Sequence, residues 1–543
     1  MSKDGKKTIK LDKEQLQKLR STAEAAGVEI PGLIQYQPTI DLDEPVSDIA
    51  QQLGGLCSRQ PIFFRAGNLV AVDDRGELEP MSPERFGSWV EKFVTTSRYT
   101  KERGEHAATM STDLAKKILA ADCFKVQIRE LKFFFPVRLP VLRPNGEVEL
   151  LQEGYDDQTE SWTLDGLAYD AEMDISTANM VIDRYFGEWP WADRQLLQSE
   201  WTLEKSRDAA VVMSGMLGVF CRPMFGPGVK RPMAVVSGNQ PGTGKTTLCK
   251  MMMSPVYGMP PEMSLPPTEE KFERLLESTA LGMEPFLFLD DVGRMIRSNA
   301  LNKFITASKH GGTRLYTQQT FSIDNVTQVF VTGNDLPIEA NVKRRVIWAE
   351  LFLAGEVQDR EFKFEITDSM LAKDEVRSEL LAAMWAMVRH WAENREHLSS
   401  FGPRRTIKSF EMYCRVIGGM LAVNGWSDPY IEAPGISGGD SESREFKQLL
   451  IAAADSVVSE MQEFTVPNIV NLARELGILE YYVGTFSDGD LPKKDRIRWG
   501  KKLAEFRGRI YRRTDGKFFQ FARRDGCGGS VYPCRIADKE SDF

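Results

Sequence analysis

Between residues 230 and 355 the chain alternates short apolar runs with amphipathic stretches, and this alternation predicts a parallel α/β sheet. Three runs stand out: residues 233–236, 285–289 and 328–331, each four to five residues long and each followed by polar or glycine-rich sequence. Downstream, residues 365–455 carry apolar positions at helical spacing, among them Leu380, Met384, Met387 and Trp391, and are predicted to be mostly helical. Upstream, residues 46–190 read as mixed α+β. One hairpin is expected over 61–72, turning near Gly67-Asn68, a helix over 83–95, and a second hairpin over 137–151, turning at Pro144-Asn145-Gly146. Helical stretches over 191–220 lead into the apolar run at 233. The longest uncharged stretch, 209–221, is too short to span a bilayer and is expected to be a buried helix.

The two ends differ from the middle. Residues 1–45 are expected to be a polar tail with one short helix (13–26) and a Pro-containing linker (31–45), and no apolar core of a signal peptide is expected after the charged start. A Gly/Ser-rich stretch at 435–443 reads as a loop. Residues 446–543 alternate helix signals with two late strands, 509–513 and 518–522. The expected domains are therefore 1–45 (tail and linker), 46–190 (α+β), 191–229 (helical lead-in), 230–355 (α/β core), 356–445 (helical) and 446–543 (basic C-terminal domain).

The run at 233–236 opens onto Ser237-Gly238-Asn239-Gln240-Pro241-Gly242-Thr243-Gly244-Lys245-Thr246-Thr247-Leu248. A strand, a glycine-rich loop and a helix with Lys-Thr at its mouth form the phosphate-cradling arrangement of P-loop NTPases. Residues 238–247 are the expected nucleotide-binding segment. Backbone N–H groups and the helix N-terminus face the phosphates, Lys245 reaches the β/γ-phosphates of ATP, and the Thr246 hydroxyl ligates Mg2+. The strict pattern wants Gly at 239. Asn tolerates positive φ better than most non-glycine residues, so the loop is still expected to form with Asn239 in place.

Two further runs complete the set. Pro285-Phe286-Leu287-Phe288-Leu289-Asp290-Asp291 reads as a buried strand ending in paired acids. Asp290 would hold Mg2+ and Asp291 would orient or deprotonate the attacking water. Gln328 to Asp335 is a third strand, ending in Asn334, a polar amide suited to contact the γ-phosphate or its water. Just beyond it, Arg344 and Arg345 suit an arginine finger entering a neighbouring subunit's site, with the choice between them open.

In this order the motifs resemble the AAA+ ATPases of superfamily 3 helicase type, especially the primase-helicase-like replication proteins of phages, prophages and poxviruses. The resemblance spans about residues 135–425 and includes the weaker upstream phrase Leu142-Arg143-Pro144-Asn145-Gly146 and Glu153-Gly154-Tyr155-Asp156. It implies a central P-loop AAA+ parallel sheet with flanking helices, and with the N-terminal α+β region and the winged-helix-like C-terminal domain read from the sequence the expected fold is multidomain α/β. It also implies a DNA-gripping β-hairpin between about 309 and 322, with Lys309, His310, Arg314, Tyr316 and Gln318 as contacts. The family's acid pair often ends Asp-Asn or Asp-Glu; here it is Asp-Asp, which leaves the role of Asp291 less defined than that of Asp290.

Charge alters the picture only locally. The net charge of −9 does not mark a nucleic-acid binder, yet residues 493–524 hold thirteen basic residues against three acidic ones, interleaved with aromatics. A helix over 466–476, a second over 495–506 and a two-stranded wing turning at Thr514-Asp515-Gly516 suggest a winged helix. Its DNA contacts would be Lys493, Lys494, Arg496, Arg498, Lys501, Lys502, Arg507, Arg509, Arg512 and Arg513. The seven cysteines are scattered, without a CxxC pair, and the four histidines do not cluster, so thiols reduced in a cytoplasm and no zinc site are expected. Asp165, Asp170, Glu172 and Asp174 are close in sequence but fit no frame for primer synthesis. The expected function is an ATP-driven hexameric helicase or translocase acting on single-stranded, and also double-stranded, DNA in phage or mobile-element replication, inside a bacterial host or phage-infected cell and away from membranes. The alternative is a nucleotide-switched DNA-binding initiator or defence ATPase that does not unwind.

Overall fold

The computed structural model describes residues 37–538 apart from 294, 295, 297, 314–319, 335, 337, 339, 354–363, 397–404, 432–440, 458–460, 477, 478, 480–498, 501, 504–509, 514, 523, 527 and 528. The chain divides into two compact units that meet in sequence at residues 130 and 131, inside the region 46–190 expected as one domain.

The first unit carries strands β1 (Thr39–Asp41), β2 (Ile62–Arg65), β3 (Asn68–Val72), β4 (Leu78–Pro80), β5 (Thr95–Thr100) and β6 (Gly104–Ala107), with helices α1 (Val46–Cys57), α2 (Pro83–Val90), α3 (Thr112–Ala120) and α4 (Asp122–Lys125). They form two three-stranded sheets, β1-β5-β6 and β2-β3-β4. The hairpin expected over 61–72 is β2–β3. The helix expected over 83–95 stops at Val90, because Thr95 already pairs with Thr39 in the parallel ladder of β5 and β1. Ile49, Leu53, Phe86, Ile118 and Phe124 lie at the centre of this unit's core.

The second unit begins with five short strands, β7 (Phe133–Phe135), β8 (Pro140–Leu142), β9 (Val148–Leu150), β10 (Gly154–Asp156) and β11 (Ser161–Thr163). The turn of the β8–β9 hairpin lies where Pro144-Asn145-Gly146 predicts it, with Gly146 at φ +89°. Arg143 joins the two halves of the upstream phrase, donating to Asp156 Oδ2 at 2.7 Å and to Glu149 Oε1 at 2.7 Å. Helices α5 (Ile175–Phe186), α6 (Arg194–Leu197) and α7 (Arg207–Phe220) follow. Helix α7 is buried on all sides except at Arg207, as its uncharged stretch from Ala209 onward requires.

The central sheet is built from β12 (Met233–Gly238), β13 (Phe286–Leu289), β16 (Gln328–Asn334) and β17 (Val346–Leu351), in spatial order β13-β16-β12-β17 and all parallel. Every residue of β12 is buried, which is why these strands read as apolar runs rather than alternating ones. The register pairs Gly238 with Asn334 and with Leu351, so the polar ends of the strands lie along one edge. Between the strands run α8 (Lys245–Tyr257), α9 (Glu269–Leu281), α10 (Asn299–Thr306), the hairpin β14 (Lys309–Thr313) and β15 (Thr320–Asp324), and α11 (Ala340–Lys343). Helix α9 starts where the Thr268 side chain accepts from Lys271 N, and it buries Phe272, Leu276 and Ala280 against the sheet core. Two isolated bridges cover the outer strands: Met263 lies parallel to Leu289, and Trp191 lies antiparallel to Leu351.

Helices α12 (Asp368–Leu371), α13 (Asp374–Asn394) and α14 (Glu411–Val423) form the expected helical region, with Leu380, Met384, Met387 and Trp391 buried on α13. The C-terminal part holds α15 (Ser441–Asp455), β18 (Met461–Thr465), α16 (Val466–Glu475), β19 (Ile510–Arg512), β20 (Phe518–Phe521), β21 (Arg524–Gly526) and β22 (Gly529–Ala537). The wing is present as β19–β20, but it belongs to a larger antiparallel sheet in which β22 pairs with β18, β20 and β21. Helix α15 also starts at Ser441, within the stretch expected as a loop. Glycine, serine and proline hid β22, although Tyr532 and Cys534 alternate into the core beside Phe446, Trp499 and Phe519. The second helix expected over 495–506 falls mostly outside the described residues. Among the described residues no helix is long and apolar enough to cross a membrane.

Asp208, in the first turn of α7, is 2% exposed and accepts from Arg207 Nη1 at 2.8 Å. Burial pushes its carboxyl up to about 6; Arg207 pulls the other way and Asp193 adds to the rise. A carboxyl raised in the fold penalises folding where it is ionised, so this part of the stability grows as pH falls from above 6 towards the unfolded value. The penalty at neutral pH is roughly 3 kcal/mol. Thermal melts of wild type and Asp208→Asn at pH 7.5 and pH 5 should show the wild type gaining on the variant at the lower pH. A constant difference between the two proteins would refute this.

Candidate functional site

The edge formed by the ends of β12, β13 and β16 gathers most of the residues expected to handle phosphate. Strand β12 ends at Gly238, and the chain turns through Gly242 (φ +77°) and Gly244 (φ +95°) before α8 begins at Lys245. A side chain at 238 would strike Thr243 Oγ1 at 2.6 Å and Lys245 Cδ at 3.0 Å, so the tight loop needs glycine there. Lys245 is 6% exposed, and its ammonium donates to Gln240 O at 3.1 Å and Thr243 Oγ1 at 3.2 Å, which holds it over the loop.

Asn239 has a different role from the expected one. Its backbone is outside the left-handed region. Its side chain clasps the chain just past β17: Nδ2 donates to Leu353 O at 2.9 Å and Oδ1 accepts from Leu353 N at 3.0 Å. Gln240 Nε2 donates to the same carbonyl at 3.1 Å. Asparagine stands where the pattern wants glycine because its amide ties the loop to the sheet.

The Thr246 hydroxyl, at the start of α8, donates to Asp290 Oδ1 at 2.9 Å, and Thr332 Oγ1 donates to the same oxygen at 2.5 Å. Thr332 Oγ1 in turn accepts from Asp291 N at 3.0 Å. Thr332 was missed by the motif reading, although it sits two residues before Asn334 on β16 and so shares its face. Asp291 is exposed and sits at φ +47°, a conformation aspartate tolerates better than most residues and one that recurs at functional turns. Asn334 is half-buried, and its Oδ1 has no hydrogen-bond partner among the described residues.

Chemically the donor set fits a magnesium–nucleotide pair. A hydroxyl and a carboxylate oxygen are hard ligands of the kind Mg2+ takes alongside phosphate oxygens. The glycine turn, the helix N-terminus and the ammonium fit phosphate. The orphaned amide oxygen of Asn334 is placed at the same sheet edge. Among the described residues no group of three or more His, Cys, Asp or Glu is placed to hold a metal. Asp170 and Asp174 accept from backbone N–H groups of Glu172 and Thr177, and Glu172 pairs with Arg389 at 3.5 Å.

The two arginines separate. Arg344 is exposed, whereas Arg345 Nη1 donates to Asn302 Oδ1 on α10. Both precede β17, whose first residue pairs with Met233 at the start of β12. They therefore lie at the opposite end of the sheet from Gly238, roughly 17 Å away for five strand steps.

The expected DNA contacts are only partly placed. Strands β14 and β15 form the hairpin expected over 309–322. Lys309 is exposed at its base, 3.8 Å from Asp324 Oδ1. His310 requires correction as a surface contact: it is buried, with its ring against Phe304 (5.2 Å) and Phe321 (6.2 Å), and burial lowers its pKa. Arg314, Tyr316 and Gln318 lie outside the described residues, as do Lys493, Lys494, Arg496, Arg498, Lys501, Arg507 and Arg509. Arg512 lies on β19, and Lys502 Nζ is 5.9 Å from the Phe446 ring centroid. Arg513 also requires correction. Its side chain is 13% exposed and spans Asp455 Oδ1 at 3.4 Å and Asp515 Oδ2 at 3.3 Å, so it is a structural ion pair of the C-terminal part.

No protein-family model matches the chain, and no curated protein matches it. Two solved structures are similar over most of the chain. An A-form apo structure of the NrS-1 C-terminal region is 9% identical, covers 91% of this chain and 99% of its own, and has a TM-score of 0.35. A second A-form apo structure, of residues 305–718 of that region, is 10% identical, covers 90% and 99%, and has a TM-score of 0.36. Similarity this low carries no inference about fold or function.

Proposed function

We propose that this protein is an ATP-driven motor of the AAA+ superfamily 3 helicase type that acts on DNA as a hexameric ring of subunits in phage or mobile-element replication. The observation that carries the reading is the joint at Asp290. One carboxylate oxygen receives the hydroxyl of the phosphate loop (Thr246) and that of the intervening strand (Thr332). Strand β16 lies between the loop strand and the acid strand, so Asn334 stands between the loop and the acids. Mg2+ held by Thr246 and Asp290 would neutralise phosphate charge. Lys245 and the backbone N–H groups within 238–247, Pro241 excepted, orient the phosphates, Asp291 orients the attacking water, and Asn334 contacts it or the γ-phosphate. Arg344 serves the neighbouring subunit's site.

A second reading, a nucleotide-switched DNA-binding protein that does not unwind, is favoured by the inward placement of His310, which removes an expected contact from the DNA-gripping hairpin. ATP hydrolysis with and without single-stranded DNA, followed by strand displacement on a forked duplex, tests both readings. DNA-stimulated hydrolysis with displacement supports the motor, hydrolysis without displacement supports the switch, and absence of hydrolysis overturns both. Thr332→Val, close in size but unable to donate to Asp290, should lower kcat about tenfold, as expected for a lost hydrogen bond to a charged group. Steady-state kinetics at saturating ATP read this directly, and an unchanged kcat would remove Thr332 from the site.

A further inference from the structure

The phosphate loop is braced from a side that its sequence motif does not reveal. Gly244, the residue just before α8, is approached by the indole of Trp189: a Cβ on Gly244 would lie 2.5 Å from Trp189 Cζ3 and 3.3 Å from Cη2. The indole is fixed. It is 6% exposed, and its Nε1 donates to Tyr185 O at 2.9 Å. Trp191 repeats the pattern one carbonyl further on, donating to Phe186 O at 2.9 Å. The last carbonyls of a helix have no partner within it, so these two indoles complete the end of α5.

The segment carrying both tryptophans is also fastened to the sheet. Phe352 N donates to Pro190 O at 2.7 Å and Ala192 N donates to Glu350 O at 3.0 Å. The chain at 351–353 is thus held by this segment and, through Asn239, by the phosphate loop. The loop is clamped at both ends, by the Asn239 amide where it leaves β12 and by the Trp189 ring where it enters α8. Tyr185 Oη donates to Glu379 Oε2 at 2.8 Å and Arg184 Nη1 to Glu379 Oε1 at 2.9 Å, which fastens the same helix to α13.

We infer that Trp189 is a positioning residue for nucleotide binding: its ring fixes Gly244 so that the N–H groups at the mouth of α8 converge on the phosphates. The inference rests on the proposed ATP site and adds a residue from outside the motif. Removing the ring leaves Gly244, which has no side chain of its own, free to move, and loss of preorganisation at a phosphate site weakens binding. The effect falls equally on ATP and ADP, because the ring acts at the helix mouth rather than at the γ-phosphate end.

The test is equilibrium binding of ATP and ADP to the full chain, wild type beside Trp189→Phe and Trp189→Leu, with thermal melts of the nucleotide-free proteins. Trp189→Leu should weaken both nucleotides about tenfold or more, with Trp189→Phe recovering part of the loss. KM for ATP should rise while kcat stays within about twofold. Wild-type affinity in both variants, with only a lower melting temperature, would reduce Trp189 to a packing residue and overturn the inference while the nucleotide site stands. If Trp189→Leu does not fold, Trp189→Phe decides alone: lost affinity supports the inference and full affinity overturns it. Failure of the wild type itself to bind either nucleotide would instead overturn the site.

Discussion

Lys245→Ala is expected to abolish ATP turnover, lowering kcat/KM by about a thousandfold or more, the scale seen when a preorganised donor to a reacting oxyanion is removed. The ammonium is almost fully buried, and its present acceptors are the Gln240 carbonyl and the Thr243 hydroxyl of the loop it serves. Such a group carries a cost of desolvation, which the proposed site would offset by holding a positive charge against phosphate oxygens. Truncation leaves the Thr243 hydroxyl donating to the Gln240 carbonyl at 3.2 Å and removes the only cation described in the loop. Lys245→Met keeps most of the side-chain volume and should fail equally, which separates lost charge from lost packing. Both variants should melt within a few degrees of the wild type without nucleotide. A coupled phosphate-release assay is the measurement, and wild-type turnover in either variant would remove the phosphate loop from the chemistry.

Arg344→Ala is expected to leave ATP binding intact and to lower kcat by about a thousandfold, the lower range for an arginine that stabilises a transferring phosphoryl group. The prediction falls on Arg344 because the surroundings of the two arginines differ. Arg345 is committed to Asn302 within its own subunit, whereas Arg344 is exposed. Neither can serve its own site: β17 and β12 run parallel in register, and Arg344 precedes the end of the sheet opposite Gly238. A functional Arg344 therefore acts on another copy of the chain. Mixing Arg344→Ala with Lys245→Ala should restore hydrolysis, because one mixed interface carries an intact loop from one subunit and an intact arginine from the other. Arg345→Ala should instead cost about 1 kcal/mol of stability through the lost hydrogen bond. No recovery on mixing, with both variants inactive alone, would place Arg344 outside any shared site.

The central sheet was legible because its strands are buried on both faces. Residues 233–236, 286–289 and 328–331 read as apolar runs, and the polar residue closing each run marks the sheet edge where Thr246, Asp290 and Asn334 converge. Helices α7 and α13 were legible for a related reason, a long uncharged stretch in one and regular spacing in the other. What the sequence concealed depends on contacts between distant segments. Nothing near Asn239 points to Leu353, and nothing near Trp189 points to Gly244. Strand β22 was concealed by composition, since Gly529, Ser530 and Pro533 read as turn residues until β18 and β20 are known to flank them. His310 and Arg513 were misassigned because residue type does not reveal which way a side chain faces. The unit boundary at 130 has no Gly/Pro-rich linker to announce it.

The bridges at Met263 and Trp191 bear on how copies of the chain can associate. An open β-sheet invites addition of a foreign strand through its unpaired amides and carbonyls, a route to runaway polymerisation. Here Met263 occupies the rim of β13, where its amide donates to Phe288 O, and the tryptophan segment occupies the rim of β17. With those rims covered, the ring of subunits proposed above would meet through side chains rather than through added strands, and such contacts could loosen and re-form once per catalytic cycle without unzipping a backbone ladder.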